Sequence, residues 1–173
     1  MYANQAHQKR FQKTLAFLTQ HIEQRSHILD LGVQNPMTEL MLAQGHKVEN
    51  THGEDLDEDQ TALINSKAEV VTAFEILEHL LSPYQVLKSI KAKKLVVSVP
   101  LNLWFSKPYR SLTDVRDRHF HEFEDWQFDW LLEKAGWTII SREKWTNPTK
   151  KIGIRPLLRY FTKRFYIVYA ERK

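Results

Sequence analysis

The sequence predicts an α/β domain built on a mainly parallel sheet, and three observations carry that prediction. Short apolar strand patterns alternate with helical periodicity along most of the 173 residues. Two strand patterns, Ala68–Phe74 (AEVVTAF) and Lys94–Val99 (KLVVSV), are continuously apolar, as strands covered on both faces are. The stretch His27–Val48 (HILDLGVQNPMTELMLAQGHKV) reads as strand, tight turn and helix. A chain of this length fits one domain, residues 1–173, able to bury roughly 70% of its unfolded surface.

The elements follow in order. Residues 7–22 predict an amphipathic helix, with Phe11, Leu15, Leu18 and Ile22 spaced by four, three and four. His27–Leu31 is a short strand. Asn35 is a good N-cap, Pro36 suits the first helical position, and Gly45 ends the helix. A second strand is expected near Lys47–Thr51, and the next at Ala68–Phe74. Ser82-Pro83-Tyr84-Gln85 resembles a capping box, opening a helix that turns Val86, Leu87 and Ile90 inward. After the strand at Lys94–Val99 comes a loop rich in Trp, Phe and Arg. A helix over Asp125–Ala135 closes at Gly136, and strands at Trp137–Lys144 and Phe165–Ala170 complete the set. Arg155–Phe161 (RPLLRYF) is compatible with an amphipathic surface helix; the reading favoured here is a plain connection.

Composition sets bounds. With no cysteine, disulfide and thiolate chemistry are excluded, and a zinc ion would have only His, Asp or Glu to bind. No apolar run reaches about 18 residues, so no transmembrane helix is expected. The first residues lack the apolar core of a signal peptide, and a soluble, cytoplasmic protein is the expectation. The net charge of +4 is unevenly placed: Ser141–Lys173 carries ten Lys/Arg against two acids. Such a stretch suits an anionic partner (a phosphate-bearing substrate, RNA or a membrane surface) or is simply a solvated face.

Four stretches, in this order, resemble class I S-adenosylmethionine-dependent methyltransferases. HILDLG is similar to that family's first-strand motif, AEVVTAFEILEHLLSPYQVLKSI to its fourth strand and following helix, and KKLVVSVPLN to its fifth strand. RDRHFHEFEDWQFDWLLEKAGW is similar to a late segment of its small O-methyltransferases. The resemblance implies a doubly wound, Rossmann-like sheet with an antiparallel final strand. It also implies S-adenosyl-L-methionine bound across the strand carboxyl ends, where open α/β sheets hold ligands.

Two departures qualify that picture. The family's Asp-x-Gly-x-Gly-x-Gly is here Asp30-Leu31-Gly32-Val33-Gln34-Asn35-Pro36, so Gln34 puts a side chain where backbone should approach the ligand. Only 16 residues, His52–Lys67, separate the second strand from Ala68. The spacing therefore predicts that one strand–helix unit is missing, and with it part of the wall around the adenine.

The resemblance implies that Asp30 and Gly32 shape the methionine end of the cofactor site, with backbone around Phe74 and Glu75 as its floor. An acid after the second strand would hold the ribose hydroxyls. Glu54, Asp55 and Asp57 are available and Asp55 is the choice, against the alternative of a solvated acidic turn capping the next helix. In metal-dependent relatives a Glu-x-x-Glu-His sequence binds a divalent ion. Glu75, Glu78, His79 and His121 are the corresponding candidates for Mg²⁺, Mn²⁺ or Zn²⁺, and Glu78 could equally brace the following helix. Without metal, His79 or His121 is a candidate general base. Trp104, Phe105 and Tyr109, with Arg110, Arg116 and Arg118, form either a substrate lid or ordinary packing. The expected activity is O-methylation of a small-molecule or lipid-like acceptor. RNA 2′-O-methylation and a cofactor-free binding or scaffold role on a degenerate fold are the alternatives.

Overall fold

A computed structural model describes residues 5–149 and 151–173. Six strands form one sheet: β1 (His27–Asp30), β2 (Lys47–Asn50), β3 (Val70–Phe74), β4 (Lys94–Pro100), β5 (Thr138–Thr146) and β6 (Lys163–Glu171). Their order is β2-β1-β3-β4-β6-β5. The first four are mutually parallel, and β6 lies antiparallel between β4 and β5. The doubly wound, mainly parallel sheet with an antiparallel final strand is thus as expected.

Side-chain alternation along the strands builds a core on each face of the sheet. Leu29, Val71, Leu95 and Val97 face α4 (Pro83–Ser89) and α5 (Asp125–Lys134) through Val86, Leu87, Phe128 and Leu132. Ile28, Val70 and Val96 face α1 (Gln5–His21) and α2 (Pro36–Ala43) through Phe17, Leu18, Met37 and Met41. Each of these aliphatic side chains contributes about 1.5–3 kcal/mol by leaving water. Because β3 and β4 are covered on both faces, they carry no polar alternation.

The short segment after β2 holds a single small helix, α3 (Thr61–Asn65), so β2 is left at the sheet edge. That is the shortening the spacing predicted. Asn35 caps α2 as expected: its Oδ1 accepts from Met37 N at 2.8 Å, and Thr38 Oγ1 accepts from Asn35 N at 3.2 Å.

Two local expectations change. Ser82 makes no side-chain cap at α4; instead the Asp57 carboxylate fixes the chain entering the helix, accepting from Leu81 N and Ser82 N at 2.7 Å each. Arg155–Phe161 is not a plain connection but lies within a helix, α6 (Ile154–Phe161). Its i, i+3, i+4, i+7 apolar spacing is a helical signal. The ridge stays exposed, so core burial gave no reason to expect it.

Arg172 closes the far side. Its guanidinium donates to the carbonyls of Leu87 (3.0 Å), Ile90 (2.8 Å) and Ala135 (2.9 Å), and lies 4.2 Å from the Trp137 ring centroid. One cation thereby joins the carbonyl ends of α4 and α5, sharing the Leu87 carbonyl with the Trp137 indole N–H.

Candidate active site

In an open parallel sheet the helices after neighbouring strands part where strand order reverses, leaving a crevice at the strand carboxyl ends. Here the reversal lies between β1 and β3. A cavity of about 600 Å³ opens there, lined by Asp30–Val33 after β1, Phe74–Ile76 after β3 and Ser98 and Pro100 of β4. Its outer wall includes Arg10 of α1, Glu78, His79, His119 and Arg164.

The β1 turn is held by a buried polar network. Asp30 Oδ1 accepts from Thr72 Oγ1 at 2.6 Å; Oδ2 accepts from Thr38 Oγ1 (3.3 Å) and Asn50 Nδ2 (3.1 Å). Burial pushes the Asp30 carboxyl up to about 6, against those hydrogen bonds. Asn50 Nδ2 also donates to the Gly32 carbonyl at 3.0 Å, while Gly32 N donates to Thr51 Oγ1 at 2.6 Å. Gly32 has φ +114, a conformation open to glycine and strained for other residues.

Gln34 does not fill the cavity. It is exposed, and its amide reaches outward to the Glu39 carboxylate. The concern that its side chain would block the turn is corrected by that geometry: the turn bends enough to aim Gln34 at α2 rather than at Gly32.

Beyond β3 the backbone breaks direction at Glu75, a non-glycine residue with φ +57. Such strain clusters at functional sites. Glu75 N donates to Ser98 O (3.0 Å), Glu75 Oε1 accepts from Ser98 Oγ (2.9 Å), and Arg10 Nη1 reaches Oε2 at 3.4 Å. A single 3-10 turn, Leu77–His79, follows. It buries Glu78 almost completely, with Oε2 lacking a hydrogen-bond partner. Burial and then the neighbouring Glu75 hold the Glu78 carboxyl well above the usual carboxylate range, while burial also raises Glu75, opposed by Arg10 and the Ser98 hydrogen bond.

His79 Nδ1 lies 3.0 Å from the Arg118 carbonyl. A carbonyl only accepts, so Nδ1 carries the proton and Nε2 keeps its lone pair. Burial lowers the His79 pKa, favouring the neutral imidazole. Nε2 sits 3.9 Å from Glu78 Oε1, and the ring meets His119 edge-on at a centroid distance of 4.8 Å.

Of the residues singled out from sequence, Asp30, Gly32, Phe74, Glu75, Glu78 and His79 line this cavity together. Asp55 and His121 do not. Asp55 is exposed, and its Oδ1 accepts from Asp57 N at 3.0 Å within the acidic turn. His121 Nε2 lies 3.3 Å from Leu81 O, and its ring stacks on Phe123. His119, from the same RHFHEF stretch, lines the cavity instead. Donor atoms of Glu78, His79 and His119 lie within 4.8 Å of one another. Arg10, Asn50 and Ser98 were missed because nothing local marks them: each gains its role from a partner at least 20 residues away. Of the aromatic loop, Tyr109 lines the cavity while Trp104 points to solvent, 75% exposed.

A family profile described as a methyltransferase domain matches residues 2–142. Curated protein sequences return no match. Among solved structures, the chain is similar to the Burkholderia thailandensis 1,6-didemethyltoxoflavin-N1-methyltransferase with bound S-adenosylhomocysteine. The TM-score is 0.67 at 16% identity, covering 94% of this chain and 78% of that one. It is also similar to the magnesium protoporphyrin IX methyltransferase of Synechocystis with bound S-adenosylhomocysteine (TM-score 0.62, 14% identity, 97% and 84% covered). A third is an S-adenosylmethionine-dependent methyltransferase of Archaeoglobus fulgidus (0.59, 15%, 94% of each). These likenesses establish the fold. Together with the profile match and the cavity at the β1/β3 switch point, they show that this chain belongs to the class I S-adenosylmethionine-dependent methyltransferases.

Proposed function

We propose that this protein transfers a methyl group from S-adenosyl-L-methionine to a hydroxyl of a small-molecule or lipid-like acceptor. The observation that carries the reading is one continuous cavity joining the bare backbone of Gly32 to a neutral imidazole at His79. About 600 Å³ lies within the usual range of roughly 300–1,000 Å³ for cofactor-sized ligands. A cradle without Cβ at Gly32 fits the methionine end of the cofactor, with Asp30 shaping it from beneath. Phe74 and Glu75 backbone supply the floor.

When bound, S-adenosyl-L-methionine supplies an electrophilic methyl group on a sulfonium. The protein's own task is to align the acceptor oxygen and remove its proton. His79 Nε2 takes that proton, with Nδ1–H fixed on the Arg118 carbonyl. Glu78, whose carboxyl is held well above the usual range by burial, favours its uncharged form beside the imidazole. Arg10 and Arg164 line the same cavity and oppose the rise that burial imposes on the Glu75 carboxyl. A divalent ion is not needed for this chemistry, and whether the Glu78–His79–His119 cluster takes one is tested separately by EDTA and added Mn²⁺ or Mg²⁺.

Calorimetric titration tests the reading. Saturable one-to-one binding of S-adenosylmethionine and S-adenosylhomocysteine is expected. No heat and no thermal shift at millimolar ligand would sink the cofactor assignment. That result would favour the second reading, a cofactor-free binding protein, whose support is that Glu54, Asp55 and Asp57 all lie outside the cavity lining.

A further inference from the structure

Helix α6 carries an apolar ridge on the surface. Ile154, Leu157, Leu158 and Phe161 share one helical face by their i, i+3, i+4, i+7 spacing. A helix covering a core turns such a ridge inward. Here Ile154 is 80% exposed, Leu157 59% and Phe161 76%, and no residue of α6 is buried. Ile152, just before the helix, is also fully exposed.

The surroundings are cationic. The exposed Lys151, Arg155 and Lys163 accompany the ridge, with half-buried Arg159 beside them, and the chain has no acidic residue between Lys144 and Ala170. On the helical wheel Arg155 and Arg159 lie beside the apolar face, not on it. A short helix with an apolar stripe and a basic flank is the pattern of an element lying in a membrane interface.

We propose that α6 and the preceding Ile152 dock this protein on an anionic lipid surface. Ile152, Ile154, Leu157 and Phe161 enter the boundary between headgroups and acyl chains, and the basic flank meets anionic headgroups. Charge complementarity selects this occupant over two others. Pairing the face with itself in a second copy would set its cations against one another. RNA would match the cations and leave the ridge in water.

The position of α6 gives docking a consequence. Arg159 lines the main cavity and also a neighbouring one of about 330 Å³, which it shares with Lys107, Arg110 and Arg164. Docking through α6 thus engages a helix that contributes Arg159 to the lining of both cavities. The proposal does not depend on methyl transfer.

Vesicle flotation with the full chain tests it. The expected result is co-flotation with phosphatidylcholine vesicles containing phosphatidylglycerol, weakened by salt and weak on phosphatidylcholine alone. The double variant Leu157→Asp/Phe161→Asp loses flotation with its Tm unchanged, since both side chains are already exposed. Should that variant misfold, Arg155→Gln decides, lowering partition about fivefold. Absence of wild-type flotation at low salt overturns the proposal, as does unaltered flotation of the folded variants. It is equally overturned if the face holds a dimer, or binds an RNA oligonucleotide, and leaves vesicles untouched.

Discussion

Asn50, at the end of β2, places one amide nitrogen 3.1 Å from the Asp30 carboxylate and 3.0 Å from the Gly32 carbonyl. A single edge-strand side chain therefore ties the last residue of β1 to the turn that shapes the cavity. Asn50→Ala leaves two acceptors without this donor, and is expected to destabilise the fold by about 1–3 kcal/mol. Denaturant unfolding measures that loss. S-adenosylhomocysteine affinity should fall with it, because the Gly32 backbone is no longer held.

The Asp30 carboxyl has a pKa near 6 in the folded chain and an ordinary value of 3.8. A raised acid holds its proton more tightly when folded, so its contribution to stability is greatest below pH 3.8. It falls as pH rises towards 6, then levels off. The shift corresponds to about 3 kcal/mol. Asp30→Asn should remove this fall, seen as a difference between the two pH–stability curves across pH 4–6.5. Parallel curves would mean the carboxyl is not desolvated as the structure places it.

A Cβ at Gly32 would lie 3.3 Å from Ile76 Cδ1, at φ +114. Gly32→Ala is thus expected to cost about 1–3 kcal/mol in backbone strain. Cofactor affinity should drop at least tenfold, as the new methyl group enters the cavity. Pairing it with Ile76→Val should recover part of the stability and little of the affinity, which separates the clash from the lost cradle.

With any hydroxyl acceptor that supports turnover, His79→Ala should lower kcat/KM by about 10²–10⁴-fold, the span of general-base catalysis. His121→Ala should change it less than tenfold. The acid limb of the wild-type pH–rate profile should have its midpoint below 6.5, because burial lowers the His79 pKa. S-adenosylhomocysteine release against pH reports both. Equal losses in the two variants would remove His79 from the role of base.

The Arg172 guanidinium donates to the carbonyls of Leu87, Lys88, Ile90 and Ala135 and stacks on Trp137. Arg172→Ala should cost roughly 2–3 kcal/mol, lowering Tm by several degrees. Arg172→Lys should recover only part, since an ammonium cannot reach these carbonyls and stack on the ring together.

Much of the fold was legible because it rests on local signals. Alternating apolar segments, the Asn35-Pro36 helix start and the glycines closing α2 and α5 are written over a few residues each. The candidate site was legible only where it sits at strand ends. Asp30, Gly32, Phe74, Glu75, Glu78 and His79 follow directly from the strands that carry them. The acidic segment and the RHFHEF stretch have no such anchor, and the choices of Asp55 and His121 fall outside the cavity lining.

The sequence by itself determined the alternation of strands and helices, the shortened segment after β2 and the α2 cap. These depend on periodicity and on neighbours within a turn or two. Only the tertiary structure decided that Gln34 turns away, that His119 rather than His121 faces the cavity, and that Arg10 meets Glu75 across 65 residues. It alone left the apolar ridge of α6 in solvent. Those outcomes depend on loop paths and on which surfaces remain to be covered, and no short-range pattern encodes either.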